Sequence, residues 1–406
     1  MTASMLSFDD ALGRVLGDVA PAGLERVDAA LSIGRVLAAD VLAPADVPAF
    51  DRSTMDGYAV HSADLAGGPC RLPVLGESAA GGAWPGALAR GAVTRIFTGA
   101  PLPEGADAVV MQEDVTRDGD HAHFPRAVSP GTSVHRVGSD LRAGAVVLAA
   151  GTRVTPFHVA ALVGVEALRV SVARRPVVSI VLTGDELRDA GTPAREGRIV
   201  DVLGPSLAAL VSACGGVARV EAAVGDDRDA VRATVRGALR GADVVLTVGG
   251  VSVGDRDVVR DALEAEGVAL DFWRVAIKPG KPLCLGRSRD GVRVLGLPGN
   301  PSSALLTFVL FGAPLLRALQ GDRRPTAPRF AATLSRAITR SPGRKEFVRV
   351  GLDWGAALLP VATPLGNQQS GAFTSFAWAD ALAEVDAEVA HLDAGATVRC
   401  FRLQEV

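Results

Sequence analysis

The spacing of apolar and polar positions changes character several times along the chain. Residues 7–42 carry apolar side chains at helical spacing behind Ser7-Phe8-Asp9-Asp10, a capping-box pattern with Asp10 at N3, so a helical segment is predicted there. From about Val41 to Gly138 the runs become short and β-like, cut by Gly and Pro: Leu72–Leu75, Ala92–Phe97, Ala108–Met111 and His121–Phe124. Residues 140–172 mix alternating and helical pieces (145–149, 156–163). They read as the return half of the first helical segment, which makes the β-rich stretch an insertion.

The clearest pattern spans residues 177–318. Strands are predicted at 177–182, 218–224, 243–248, 270–277 and 292–297, with helices at 202–214, 227–239, 257–266 and 302–319 between and after them. Strands alternating with helices of this length argue for a doubly wound parallel sheet. A charged, Pro-bearing linker, 321–328, then leads to alternation in Glu346–Val350 and Thr397–Phe401, the mark of a small β domain. The expected architecture is multidomain α/β and β. It divides into a segmented helical domain (1–43 plus 141–175), an inserted β-rich domain (44–140), a doubly wound α/β domain (176–320) and a barrel-like C-terminal β domain (327–406).

Composition agrees with several domains, since 406 residues exceed one typical core. A net charge of -3 gives no reason to expect nucleic acid or an anionic membrane as partner. The most apolar window, 202–217, is broken by Gly204-Pro205 and Gly215-Gly216 and reads as buried helix and turn. Residues 1–10 have neither a basic nor an apolar core, so no signal peptide is expected. Cys70, Cys214, Cys284 and Cys400 are dispersed without a C-x-x-C pair, which fits reduced thiols in a cytoplasm. His121 and His123 follow the turn signal Asp118-Gly119-Asp120 and read as a solvated hairpin, not a metal site.

Candidate chemistry gathers in the loops of 177–318. Three glycine-bearing loops follow or interrupt β runs: Gly249–Asp255, Lys278–Pro282 and Pro298–Ser303. Loops at the carboxyl ends of neighbouring strands converge on one crevice, and backbone N–H groups with a helix N-terminus suit an oxyanion. Two acidic loops join them: Thr183-Gly184-Asp185-Glu186, and Asp255 with Asp257. Helix capping explains each acidic loop alone, whereas together they suit a hard cation such as Mg²⁺. Arg274, Lys278 and Lys281 supply cations. If 274–277 is one strand, Arg274 and Lys278 both lie near its carboxyl end, facing the crevice. The plainer alternative for these cations is a surface ion-pair network.

Six segments stand in a recognisable order and spacing: Pro48–Ala59; Ile96–Pro103 with Asp107–Glu113; Thr183–Leu187; Gly249–Gly254; Ile277–Pro282; and Leu297–Ser302. Together they resemble the molybdopterin molybdenumtransferase family (MoeA-like proteins and the C-terminal domain of gephyrin) over nearly the whole chain. The resemblance implies a molybdopterin-binding α/β domain within four domains, and an elongated homodimer whose active site the partner's inserted domain completes. The implied reaction takes adenylylated molybdopterin (molybdopterin-AMP) and molybdate, places molybdenum on the dithiolene and releases AMP with Mg²⁺ assisting. Glu186, Asp226 and Asp257 are the implied Mg²⁺ carboxylates, with Asp56 and Asp140 approaching from the partner. Lys278 joins the catalytic set. Thr183, Gly184, Asp185, Gly249, Gly250, Ser252, Arg274, Lys281, Pro298, Gly299, Asn300, Pro301 and Ser370 are the implied substrate-binding set. Molybdopterin adenylyltransferase and molybdoenzyme maturation proteins are the implied handover partners.

The chain departs from the family pattern at three places. Asp201 is followed by Val202-Leu203 where the family carries Ser-Asn or Thr-Asn. Ser139 replaces a carboxylate in Gly138-Ser139-Asp140, and Arg274 stands for a frequent lysine. Two alternatives therefore accompany the insertion reaction: molybdopterin adenylyltransferase activity, and a non-catalytic molybdopterin-binding carrier or scaffold.

Overall fold

The computed structural model describes residues 5–250, 258–355 and 358–405. Ser7 caps the helix Phe8–Leu16 as its sequence predicts, its hydroxyl accepting from the Asp10 backbone N–H at 3.1 Å. The predicted helix ends at Leu16, however. Residues 17–42 are largely extended, because Pro21, Gly23 and Gly34 interrupt the helical spacing, and Gly23 and Gly34 adopt positive φ. Leu24–Asp28 pairs antiparallel with Arg169–Ala173, and Val41–Leu42 with Val146–Leu148. These pairings join the two ends of the chain that flank the β-rich stretch. The helix Pro156–Gly164 packs beside them, its Leu162 joining Leu37 and Val172 in one cluster.

Between those pairings lies a six-stranded sheet in the order Ala108–Met111, Gly57–Val60, Val93–Ile96, Cys70–Ser78, His121–Phe124 and Thr116–Asp118. Gly119, at φ 56°, turns the last hairpin where the Asp-Gly signal places it.

The α/β sheet has the order Val217–Val220, Val177–Leu182, Val244–Val248, Arg293–Leu297, Pro282–Arg287 and Ala269–Arg274. The first four strands are mutually parallel. The other two continue the sheet antiparallel, so it is mixed and not wholly parallel as expected. The strand Pro282–Arg287 is the addition, a short run hidden directly behind the Pro279-Gly280 loop. The strand predicted at 270–277 also divides. Ala269–Arg274 stays in this sheet, whereas Ile277–Lys278 pairs with Lys345–Asp353 of the C-terminal domain. A turn at Val275-Ala276 separates the two, with the Val275 N–H donating to the Lys281 carbonyl at 3.0 Å. Alternation therefore does not carry Arg274 and Lys278 onto one face.

A continuous helical stretch, Pro301–Ala318, crosses the core with a π turn at Phe308–Gly312. It has membrane-span length and apolar composition, yet 83% of it is buried inside the protein, so it is a core helix. Phe8, Phe311 and Phe347 stack edge to face around it and join three regions of the chain in one core. Beyond the linker, Phe330–Leu334, Lys345–Asp353, Val361–Pro364, Ala381–Val385 and Thr397–Arg402 close into a small barrel. The pairing of Lys345–Asp353 with Ala381–Val385 completes the ring.

Candidate functional site

The chain leaves the strand Val177–Leu182 toward one edge of the sheet, returns across it to Val244–Val248, and so reverses its winding between these two neighbours. Carboxyl ends at such a reversal diverge and leave a crevice. Here the crevice is a cavity of about 540 Å³. Thr183, Gly184 and Glu186 enter it after the first strand, Gly249 and Gly250 after the third, and Pro298–Pro301 after Arg293–Leu297. Asp226 and Pro282 complete the same rim.

Backbone closeness shapes the floor. The Thr183 N–H donates to the Val248 carbonyl at 3.1 Å, and the Gly249 N–H to the Leu297 carbonyl at 3.2 Å. A Cβ on Gly249 would come within 2.8 Å of the Thr183 oxygen, and one on Gly250 within 2.3 Å of Val259. A Cβ on Gly299 would rest on Gly249 at 3.5 Å. Gly249 and Gly250 let their loop lie against Thr183 and Val259 where a Cβ would collide, whereas Gly299 sits at ordinary contact distance from Gly249. Glu186 folds back over Gly184, where a Cβ would meet its carboxylate at 2.5 Å. The site thus offers the carboxylates of Glu186 and Asp226 beside glycine-rich backbone, a surface suited to a phosphate ester with a hard cation.

A short ribbon roofs the cavity: Leu187–Arg188 pairs with Ile199–Val200. After it, the Asp201 carboxylate accepts from the backbone N–H groups of Leu203 at 2.8 Å and Gly204 at 3.0 Å, capping the helix Leu203–Ala213. Sequence reasoning treated Asp201 only as the start of a departure. The signal that finds it is an Asp directly ahead of a long apolar run. Pro282, the last residue of the candidate Lys278–Pro282 loop, also lines the cavity, and its place there is obscured in the sequence by the unpredicted strand that it begins.

Ser252 and Asp257 lie outside the described residues. Seven other predicted members stand off the cavity wall. Asp185 points to Gly225, where a Cβ would be 2.4 Å from its oxygen. Arg274 ends the edge strand two places from Arg293–Leu297, and Lys281 directly precedes the lining Pro282. Lys278 pairs with Glu346 of the barrel at 3.1 Å, and Glu346 also pairs with Arg340 at 2.9 Å. Ser370 reaches the site through its backbone, its carbonyl accepting from the Ser302 N–H at 2.9 Å. Asp56 and Asp140 belong to the inserted region. The backbone N–H and hydroxyl of Thr98, each at 2.8 Å, hold the Asp56 carboxyl below its ordinary range. Asp140 is exposed, its N–H donating to the Val47 carbonyl.

Comparison with known proteins covers the chain in three blocks. Residues 6–165 match the MoeA N-terminal region (domain I and II), 179–318 the probable molybdopterin binding domain, and 331–402 the MoeA C-terminal region (domain IV). The chain is 34% identical to the molybdopterin molybdenumtransferase of Haemophilus influenzae, over 97% of this chain and 98% of that protein. It is 32% identical to that of Bacillus subtilis, over 98% and 94%. The crystal structure of the molybdopterin biosynthesis moeA protein from Pyrococcus horikoshii OT3 superposes with a TM-score of 0.87 at 29% identity. That match covers 98% of this chain and all of the other.

Proposed function

The chain belongs to the molybdopterin molybdenumtransferase family, and from that premise we propose that it inserts molybdenum from molybdate into adenylylated molybdopterin with release of AMP. Membership makes it a transferase of molybdenum cofactor biosynthesis that acts on molybdopterin. The observation that carries the finer reading is the single cavity at the winding reversal, where Glu186 and Asp226 meet the Gly249-Gly250 and Pro298–Pro301 loops.

Mg²⁺ fits this donor set. It is held by one or two carboxylates together with substrate phosphate oxygens, and Glu186 and Asp226 are two such carboxylates on the rim. Asp257 is the third proposed ligand. Bound there, the ion would neutralise charge developing on the adenylyl phosphate. The backbone of Gly249, Gly250 and Gly299 would seat the phosphate and pterin portions. Arg274 and Lys281, at the same sheet edge, would draw molybdate in from the side of Pro282. In this reading Lys278 serves through its ion pair with Glu346, fixing the barrel against the loop that carries Lys281.

We also propose a homodimer. The unit built from residues 24–42 and 146–173 exposes Leu24, Leu31, Ile33, Phe157, Val163 and Leu168, with Phe157 87% exposed. Large apolar side chains exposed on one small unit support the reading of a protein interface there. A partner docked there would bring its own Asp56 and Asp140 toward this cavity.

Glu186→Ala tests the reading. It should abolish AMP release while leaving the chain folded, and retained release would remove Glu186 from the chemistry.

A further inference from the structure

We propose that a second cavity, lined by arginines and distant from the first, is a binding site for a phosphate-bearing small molecule. It is an open groove of about 770 Å³, a volume ordinary for small-ligand sites. Its wall combines Arg153 of the N-terminal unit, Ala213 and Arg317 near the ends of two helices, the linker residues 322–329 and Gln404. Five arginines line it, namely Arg153, Arg317, Arg323, Arg324 and Arg329, against the one lining carboxylate of Asp322. In a chain of net charge -3 this is a local concentration of positive charge.

That carboxylate is already engaged. Asp322 Oδ2 accepts from Arg153 Nη2 at 2.8 Å and Nε at 3.2 Å, and its Oδ1 accepts from the Arg324 backbone N–H at 2.9 Å. Arg329 pairs with Glu384. Arg317 is only 7% exposed and sits in the last helical turn of Pro301–Ala318, where a cation complements the helix dipole. Architecture therefore accounts for Arg153, Arg317 and Arg329. It leaves Arg323 and Arg324, both exposed and without an ion pair among the described residues.

Guanidinium groups gathered around one cavity repel each other, and an oxyanion that accepts forked N–H pairs relieves that cost. A phosphoryl group has this charge and geometry, and the volume leaves room for an ester attached to it. The two cavities share no lining residue. They lie at opposite ends of the same two helices, with Leu203 and Pro301 at the first and Ala213 and Arg317 at the second. At 1.5 Å rise per residue, the helix from Pro301 to Arg317 separates them by about 24 Å.

Isothermal titration of the full chain with inorganic phosphate, and separately with AMP, tests the site at low ionic strength. Because AMP is also the proposed product of the first cavity, the titration is run on both the native chain and Glu186→Ala. The expected result is a binding step present in both that Arg323→Ala/Arg324→Ala weakens at least tenfold. Arg324→Glu alone should weaken it in the same direction, so a folding defect in the double variant does not decide the matter. AMP binding tighter than phosphate at this site marks an ester as the occupant, and equal affinity marks free phosphate. Absence of binding by either probe at millimolar concentration, or binding that these arginine variants do not change, overturns the proposal.

Discussion

The backbone N–H of Ser302 donates to the carbonyl oxygen of Ser370 across 2.9 Å, so a loop of the C-terminal barrel holds the first turn of the helix at the cavity. Arg349 stands behind that loop. It is fully buried, its Nη2 donates to the Asn367 carbonyl at 3.1 Å, and its guanidinium lies 5.3 Å from the Phe376 ring. Gln368 clasps the Arg349 backbone on both sides, at 3.0 and 2.9 Å. The barrel thus reaches the site through one buried arginine and one carbonyl.

Arg349→Ala is expected to destabilise the chain by about 3 kcal/mol, from lost packing and orphaned carbonyls. Urea denaturation measures that loss. Faster hydrogen exchange at the Ser302 amide than at helix positions beyond Thr307 would report the loosened link to the site.

Gly249→Ala separates strain from collision. Gly249 has φ 85° and a Cβ position 2.8 Å from the Thr183 oxygen, whereas Gly119, at φ 56°, has nothing within 4 Å. Gly119→Ala should cost about 1 kcal/mol and Gly249→Ala about 3 kcal/mol. Equal shifts in denaturation midpoint would mean that the floor of the cavity yields.

The loops Thr183–Glu186, Gly249-Gly250 and Pro298–Pro301 were legible because each follows a strand whose pattern is unbroken, and strand ends converge by topology. Arg274 and Lys278 were not, because the alternation rule presumes one strand across Val275-Ala276, and a turn there sends Lys278 to the barrel. Apolar spacing also overran Leu16, where Pro21 and Gly23 stop a helix regardless of period. Long-range pairing of this kind leaves no local trace.

Asp201 tests the roof. Asp201→Ala removes the cap from the helix Leu203–Ala213 and should cost about 1 kcal/mol, while Asp201→Asn should retain most of that stability. Thermal unfolding of the two variants checks the order, and an equal loss in both would deny a capping role.

Acid stability has a local source. Hydrogen bonds from Arg236, then Arg232, lower the Glu266 carboxyl from 4.5 to about 2. A depressed carboxyl contributes stability above its unfolded value and loses it as pH falls through the folded one. The difference in unfolding temperature between the native chain and Glu266→Gln should therefore be full above pH 4.5 and fade between 4.5 and about 2. A difference that persists below pH 2 would place the effect in packing.

The most direct measurement is AMP release from adenylylated molybdopterin with molybdate and Mg²⁺ supplied together, singly and not at all. The account predicts release only when both are present: the Glu186 and Asp226 rim would position the phosphate for a bound metal, and molybdate would complete the exchange. Tight binding of the nucleotide with no release under any condition would contradict it and leave the chain a carrier.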